Sequence, residues 1–343
     1  MPEPDRRRFC AAALGLLAGR AAAGPAAADA GADADADADA RLLALDPVQL
    51  DAAAVRDVLA HAPAPRILLL HGSVPLVTMA PFARFLAAMG YPAERLRHPR
   101  DGALTRSSRV DSREIAGTVA WHYERDGLMP LLLGHSQGGM VVLQALQDLA
   151  GASGPRLPVW DPQRGAVEGR EAIVDPLDGT ARPVVGLQVP YAAALATGRT
   201  MRVLLGQWDM LPRLRSVPDT VAEFSGYFVA WDPIAGTGPD AAQRDPYRAT
   251  GRARVRNVML PASYGHLRLP LTEALAADPA ARAWIEGYDP AREDPPRPPD
   301  LPGGERDNIV HAADIWHSVK AHWCRQAQRR VRARAAMRSK ARS

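Results

Sequence analysis

A serine between two glycines stands at the centre of the chain, in the spacing Gly134-x-Ser136-x-Gly138. An apolar run at 128–133 precedes it, and apolar residues with helical spacing follow it as far as residue 149. Small residues two positions before and after the serine permit a tight turn from a strand into a helix, which exposes the hydroxyl. The N–H of Gln137 at the helix start can stabilise an oxyanion. The spacing therefore predicts that Ser136 is a nucleophile in acyl transfer.

The region around this serine resembles the α/β-hydrolase family of esterases and lipases. Gly-His-Ser-Gln-Gly-Gly at 134–139 and the pair His71-Gly72 both correspond to that family, and the resemblance covers roughly residues 41–290. It implies a mostly parallel central sheet flanked by helices, with a cap or lid insertion. It also implies that the loop opened by His71 supplies a second oxyanion N–H, from Ser73 or Val74. We expect His71 to anchor that loop and His135 to point away from the nucleophile.

A serine hydroxyl attacks only when an imidazole takes its proton, and a carboxylate must orient that imidazole. The fold implied by the resemblance supplies these groups in the chain order serine, acid, histidine. His266 comes just after an apolar run at 255–260, and Gly265 can turn its loop back to the strand ends. We therefore predict that His266 is the base. Other late histidines lie in or beside a helical pattern and are expected to pack or to face solvent: His311, His317 and His322.

The predicted acid is Asp232, which ends an apolar run and is followed directly by Pro233. Proline cannot continue a central strand, so the carboxylate falls on a loop at the sheet edge. In the family that this chain resembles, the acid usually occupies this position. Asp209 and Asp219 remain alternatives, because some hydrolases carry the acid one strand earlier.

The elements that must position these groups alternate between apolar runs and helical patterns. Such alternation is typical of an α/β fold with a mostly parallel sheet covered on both faces. A helix is predicted at 81–89, followed by a glycine that ends it. The predicted strands are 66–72, 128–133, 183–189, 224–230 and 255–260.

Two stretches interrupt this alternation, at about 151–182 and 190–221. The first is rich in proline and glycine, with a turn predicted at 175–179 between short strands. The second carries large apolar residues, including Trp208 and Met210. Insertions of this kind lie over the carboxyl ends of the strands, where Trp208 and Met210 could contact an acyl chain. The alternative is that these apolar residues form ordinary core.

The first 28 residues have the composition of an export signal. Three arginines at 6–8 precede Phe9 and a short, weakly apolar stretch, and small residues then offer cleavage sites up to Ala28. The arginine pair resembles a twin-arginine signal, which predicts a periplasmic or secreted protein. The Asp-Ala alternation at 29–40 has no large apolar residue, and we interpret it as a solvated linker.

The positive charge is concentrated at the end of the chain. The formal net charge is +4, yet residues 321–343 alone contain eight Arg and Lys and no acid. The basic character therefore belongs to the tail of the 291–343 region, and no nucleic-acid partner is predicted for the fold. Two interpretations of the predicted C-terminal helix remain open. Its tryptophans dock it on the domain, or its basic face attracts anionic membrane lipid.

Hydrolysis of a small-molecule or lipid ester is the expected reaction, through Ser136, His266 and Asp232. A thioesterase, amidase or peptidase would use the same groups, because a fold does not choose among them. A catalytically silent binding protein with this fold is the alternative of another class. The sequence contains no H-x-x-x-H pair, no paired cysteine ligands and no Walker loop, so no metal and no cofactor are predicted.

Overall fold

The computed structural model describes residues 25–74, 76–199, 210–292, 294, 296–300 and 308–341. The predicted export signal lies outside these ranges, apart from its last residues. The chain divides into two compact units, Met1–Ala38 and Asp39–Ser343. Within the described residues, no helix is long and apolar enough to cross a membrane.

The helices in chain order are α1 (Pro25–Ala44), α2 (Ala52–Asp57), α3 (Ala80–Ala88), α4 (Ser112–Asp126), α5 (Gln137–Leu149), α6 (Ala241–Arg244), α7 (Pro279–Glu286) and α8 (Ile309–Lys340). The Asp-Ala stretch that we interpreted as a linker lies within α1. Alanine has the highest intrinsic helix propensity, and half of the positions in that stretch are alanine, which favours the helix.

The strands in chain order are β1 (Ile67–Leu70), β2 (Leu131–His135), β3 (Trp160–Asp161), β4 (Ala166–Val167), β5 (Ala172–Val174), β6 (Ala181–Pro183), β7 (Val189–Leu195), β8 (Ser216–Val217), β9 (Val221–Val229), β10 (Arg248–Ala249) and β11 (Arg254–Leu260). The main sheet has five strands in the order β1-β2-β7-β9-β11, and every neighbouring pair in it is parallel. All carboxyl ends of its strands therefore meet at one edge.

Helices cover both faces of the sheet, as the alternation of patterns predicted. Along β2, Leu131 and Leu133 pack into one core cluster and Leu132 into the other, because successive side chains of a strand point to opposite faces. The first cluster includes residues of α3, α7 and α8, and the second includes residues of α4 and α5. The chain is thus an α/β protein with a parallel central sheet between two helical layers.

The two predicted insertions differ in part from their predicted positions. Residues 151–182 contain two short antiparallel pairs, β3 with β4 and β5 with β6. The expected turn at 175–179 joins β5 to β6. They contact α4, where the Tyr123 hydroxyl donates to Asp175 at 2.9 Å and Trp121 Nε1 donates to Glu168 at 3.0 Å. The second stretch begins later than predicted, because Val189–Leu195 form the central strand β7. The predicted strand at 183–189 is replaced there by the end of β6 and a loop.

The C-terminal helix α8 belongs to the core of the Asp39–Ser343 unit. Trp316 and Trp323 are 1% and 0% exposed and lie in the first core cluster. Trp323 Nε1 also donates to the Pro63 carbonyl at 3.1 Å. These contacts fit the docked-helix interpretation of the tail.

Candidate active site

Ser136 occupies a tight turn between β2, which ends at His135, and α5, which begins at Gln137. Its φ of 54° is in the left-handed region, which a residue with a side chain rarely adopts. Glycines on both sides make the turn feasible. A Cβ at Gly138 would overlap the Leu70 carbonyl, and a Cβ at Gly134 would overlap the backbone of Gly138. The predicted strand-turn-helix geometry is therefore present at Ser136.

Neighbouring strands hold the backbone of this serine. The Ser136 N–H donates to the Leu195 carbonyl at the end of β7 at 2.7 Å. The Thr197 hydroxyl donates to the Ser136 carbonyl at 2.9 Å. On the side of β1, a Cβ added to Gly72 would lie 2.9 Å from the Ser136 Cβ, so the loop after β1 packs directly on the serine. These contacts fix the direction of the Ser136 side chain.

His266 reaches Ser136 from the loop after β11. Gly265 has a φ of 58° and turns this loop back toward the strand ends. His266 Nε2 lies 2.9 Å from Ser136 Oγ, and His266 Nδ1 lies 2.6 Å from Asp232 Oδ2. The imidazole is almost completely buried. The sequence placed these three residues in one site, and the structure brings their side chains together.

Asp232 lies on the loop after β9 with its side chain completely buried. Its Oδ1 accepts hydrogen bonds from the N–H groups of Ile234 at 2.9 Å and Ala235 at 3.0 Å. Its Oδ2 faces His266, so both carboxylate oxygens have partners. These bonds fix the carboxylate, which a buried charge requires.

The chain of hydrogen bonds assigns a tautomer to His266. A carboxylate accepts hydrogen bonds and does not donate them, so Nδ1 carries the proton that faces Asp232. Nε2 is then unprotonated and accepts the Ser136 hydroxyl. A serine in this arrangement can lose its proton to the imidazole as it attacks an electrophile, and the carboxylate stabilises the resulting imidazolium.

His135 contacts the site in a way that the sequence did not reveal. Its Nε2 lies 2.8 Å from the His266 carbonyl oxygen, and the two imidazole rings are 5.0 Å apart. Burial and the neighbouring His266 lower the pKa of His135 to about 3. Its neutral ring therefore donates through Nε2 to the backbone of the loop that carries His266. The sequence offered only its place beside Ser136, which does not indicate this bond.

The other candidates for base and acid bond elsewhere. His311 Nε2 donates to the Leu269 carbonyl at 2.9 Å, and burial lowers its pKa to about 4. His322 lies 3.2 Å from Glu223, and His317 is half-buried on α8. Asp219 accepts from the Ala253 N–H at 3.0 Å. Asp209 lies outside the described residues.

The predicted oxyanion donors belong to two segments that adjoin Ser136, the start of α5 and the loop after β1. Gln137 is the first residue of α5, so the positive end of the helix dipole lies beside the serine hydroxyl. Ser73 and Val74 follow Gly72 in the loop after β1 and are exposed. His71 Nδ1 donates to the Gly72 carbonyl at 2.8 Å, in keeping with its expected anchoring role. The assignment of the donating N–H groups stays a prediction.

Of the two predicted pocket residues, the structure describes Met210. Trp208 lies outside the described residues. Met210 is 2% exposed and packs in the second core cluster, together with Leu214 and Val217. Met210 is therefore a core residue, which is the alternative interpretation given above for this apolar stretch.

Exposed apolar side chains instead border the loops that carry the site. Trp231, next to Asp232, is 69% exposed and also has a left-handed φ of 55°. It lines a cavity of about 440 Å³ that follows the loop after β9. Other large apolar residues exposed on the loops after β1 and β11 are Val74, Leu76, Leu267 and Leu271. We call these five residues the apolar rim.

No protein-family profile matches the chain, and no curated protein matches it. Among solved structures, RedJ with a PEG molecule bound in its active site is similar over 62% of this chain and 85% of the RedJ chain, at 15% identity and a TM-score of 0.27. In the described part of the chain, no group of three or more His, Cys, Asp or Glu side chains could hold a metal ion.

Proposed function

We propose that this protein is a serine hydrolase of the α/β-hydrolase type, which cleaves an ester through an acyl-enzyme. One observation carries the proposal. A single imidazole, His266, lies 2.9 Å from a strained serine hydroxyl and 2.6 Å from a buried carboxylate. Each group lies after a different parallel strand, at the sheet edge where α/β proteins bind ligands.

The reaction begins when Ser136 Oγ attacks the ester carbonyl carbon and passes its proton to His266 Nε2. Asp232 stabilises the imidazolium, while the N–H of Gln137 and an N–H of Ser73 or Val74 bind the oxyanion. Collapse of the tetrahedral intermediate breaks the carbon–oxygen bond, and the alcohol leaves with the proton from His266. Water then attacks the acyl-enzyme, giving its proton to His266. The carboxylic acid departs and Ser136 regains its hydrogen.

The apolar rim favours a substrate with an apolar body. Burying apolar surface of a substrate against Trp231 and Leu76 would contribute about 25 cal/mol per Å². An ester with an apolar acyl or alcohol group gains from such contacts, whereas a polar peptide gains less. Thioesters and amides remain alternative substrates for the same three residues. A non-catalytic binding protein remains the alternative of another class.

The first test measures kcat/KM with p-nitrophenyl esters for the wild type and for variants of the three residues. Ser136→Ala and His266→Ala should each lose on the order of 10⁴-fold, because the three groups act as a unit. Asp232→Asn should lose somewhat less. Full activity of a folded His266→Ala would refute the assigned base. An inactive wild type towards esters, thioesters and amides alike would favour the binding protein.

The second test concerns the apolar rim and uses esters of rising acyl chain length. Trp231→Ser or Leu76→Ser should lower kcat/KM for octanoyl esters by roughly tenfold more than for acetyl esters, because each buried CH₂ contributes about 0.8 kcal/mol. Val167→Ser is the matched control, since Val167 is also exposed but lies on the β3–β4 hairpin. The same loss at every chain length would show that the rim does not select the substrate.

A further inference from the structure

A second cavity, of about 360 Å³, lies among α2, the end of α3, α7 and α8. It is separate from Ser136. Helix α3 begins after the loop that packs on Ser136, whereas Met89 and Gly90 at its other end line this cavity. A helix of nine residues spans about 13 Å. The cavity is in the lower part of the size range of small-molecule sites.

A buried ammonium group lies in the wall of this cavity. Lys320 is 3% exposed, and its Nζ donates to the Leu50 carbonyl at 2.7 Å and lies 5.9 Å from the centre of the Trp316 ring. An ammonium has three donors, yet in the described part of the chain no carboxylate lies within ion-pair distance of Lys320. Burial lowers the pKa of Lys320 to about 8. The acidic groups whose charges act on Lys320 are Glu286 and Asp51, and neither forms an ion pair with it, so an anion that reached the ammonium would be stabilised.

The rest of the wall limits which anion fits. Arg56 and Arg282 also line the wall, but each has an acidic partner: Arg56 pairs with Asp57, and Arg282 Nε donates to Glu286 at 3.0 Å. The Glu286 carboxylate repels a second negative charge, which disfavours a dianion such as phosphate. The remaining wall is largely apolar, with Val55, Met89 and Trp316. An anion with an apolar body is therefore complementary to the whole cavity.

We propose that this cavity binds a small monocarboxylate with an apolar body. The carboxylate accepts the free donors of the Lys320 ammonium, and the apolar body lies against Val55, Met89 and Trp316. This site is additional to the proposed hydrolase site and uses none of its residues.

The test titrates octanoate into full-length Ser136→Ala protein by calorimetry, with octanol and inorganic phosphate as separate arms. Octanoate should bind at least about tenfold more tightly than either, because octanol cannot form a charge-assisted hydrogen bond with Lys320 and Glu286 repels phosphate. The double variant Ser136→Ala, Lys320→Met should bind octanoate no more tightly than octanol. In protein that retains Ser136, the single variant Lys320→Met should leave kcat/KM for ester hydrolysis unchanged. Octanoate bound at the hydrolase site would keep its affinity in Lys320→Met, which would overturn the proposal.

A second variant makes the test independent of the lysine. Ala60 is exposed and lines the cavity, so Ala60→Phe should fill it and weaken octanoate binding by about tenfold or more while leaving the core unchanged. If Lys320→Met fails to fold, Ala60→Phe decides the question. Unchanged octanoate binding in Ala60→Phe refutes the proposal. Phosphate binding as tight as octanoate binding replaces the monocarboxylate with an inorganic anion and refutes it too.

Discussion

Backbone strain in this protein is concentrated around the serine. Among the described residues, only three besides glycine have a positive φ: Ser136, Ala196 and Trp231. Each lies within two residues of the carboxyl end of a central strand, after β2, β7 and β9 respectively. Such conformations cost about 1–3 kcal/mol each and persist where the surrounding structure enforces them. Their clustering at one sheet edge marks that edge as the place where side-chain direction matters most.

His135 belongs to the same edge, and we expect it to act as a positioning residue for His266. Its Nε2–H donates to the His266 carbonyl, and the bond connects the loop that carries His266 to the strand that precedes Ser136. His135→Phe should lower kcat by about tenfold with little change in KM, because a small displacement of the base weakens proton transfer. Steady-state kinetics with a short ester measures both constants.

His135→Gln is the matched control for that change. Glutamine keeps a donor N–H at this position and should recover part of the lost kcat. A general packing role predicts a different result, in which both variants lower the melting temperature equally and kcat follows stability. Equal kcat in wild type and His135→Phe would mean that the bond does not position His266.

At the scale of elements, β7 shows where sequence patterns fail. Its central residues are alanines, which have low strand propensity, whereas the preceding 183–189 run contains three valines and was predicted as the strand. Ala192 and Ala194 lie on the face of β7 that α5 packs against, where the close approach of the helix leaves room only for small side chains. A Cβ at Gly139 would lie 3.1 Å from the Cβ of Ala194. This requirement comes from packing between distant segments, and a local window cannot show it.

The candidate site was easier to predict than β7, because local sequence patterns were enough to locate its residues. Ser136, Asp232 and His266 each follow an apolar run, and in a parallel sheet the strand ends share one edge. Local patterns therefore sufficed to group them. Thr197 and His135 contribute through single hydrogen bonds across the sheet edge. Because those bonds depend on strand order and register, no sequence spacing indicates them.

Helix α8 is joined to the sheet by buried charges as well as by its tryptophans. Asp314 is completely buried, accepts from the Tyr227 hydroxyl at 2.5 Å and forms an ion pair with Arg256 of β11. Asp314→Ala would leave the buried Tyr227 hydroxyl without its acceptor and would leave Glu223, at 3.4 Å, as the remaining ion-pair partner of Arg256. We expect the unfolding free energy to fall by about 1–3 kcal/mol, measured by urea denaturation.

Asp57→Ala is the matched control, because Asp57 pairs with Arg56 at 2.8 Å on the exposed surface. That change should leave the unfolding free energy almost unchanged, because a solvent-exposed ion pair contributes little to stability. A similar small cost for Asp314→Ala would mean that packing of Trp316 and Trp323 alone holds α8 in place.

At the scale of the whole molecule, buried histidines occur outside the group formed by Ser136, His266 and Asp232. His135 lies at the end of β2, and His311 lies on α8 against the ring of Phe82. Burial is the largest cause of both lowered pKa values, about 3 for His135 and about 4 for His311. The folded protein therefore keeps both imidazoles neutral under conditions in which an unfolded chain protonates them.

This difference predicts that the fold loses stability as the pH falls below 6.5. The unfolded state, with histidine pKa values near 6.5, then binds protons that the folded state binds only near pH 4 and 3. Each of these two histidines should lower the unfolding free energy by about 1.2 kcal/mol between pH 6 and 5, and the stability that it contributes is present above the unfolded pKa of 6.5. Urea denaturation at pH 7.5, 6.0 and 5.0 measures the slope. His311→Phe should reduce the slope by about one histidine's share, whereas His61→Phe, at an exposed position, serves as the control. A slope that stays the same in His311→Phe would mean that His311 is protonated in the folded protein and that other groups cause the acid sensitivity.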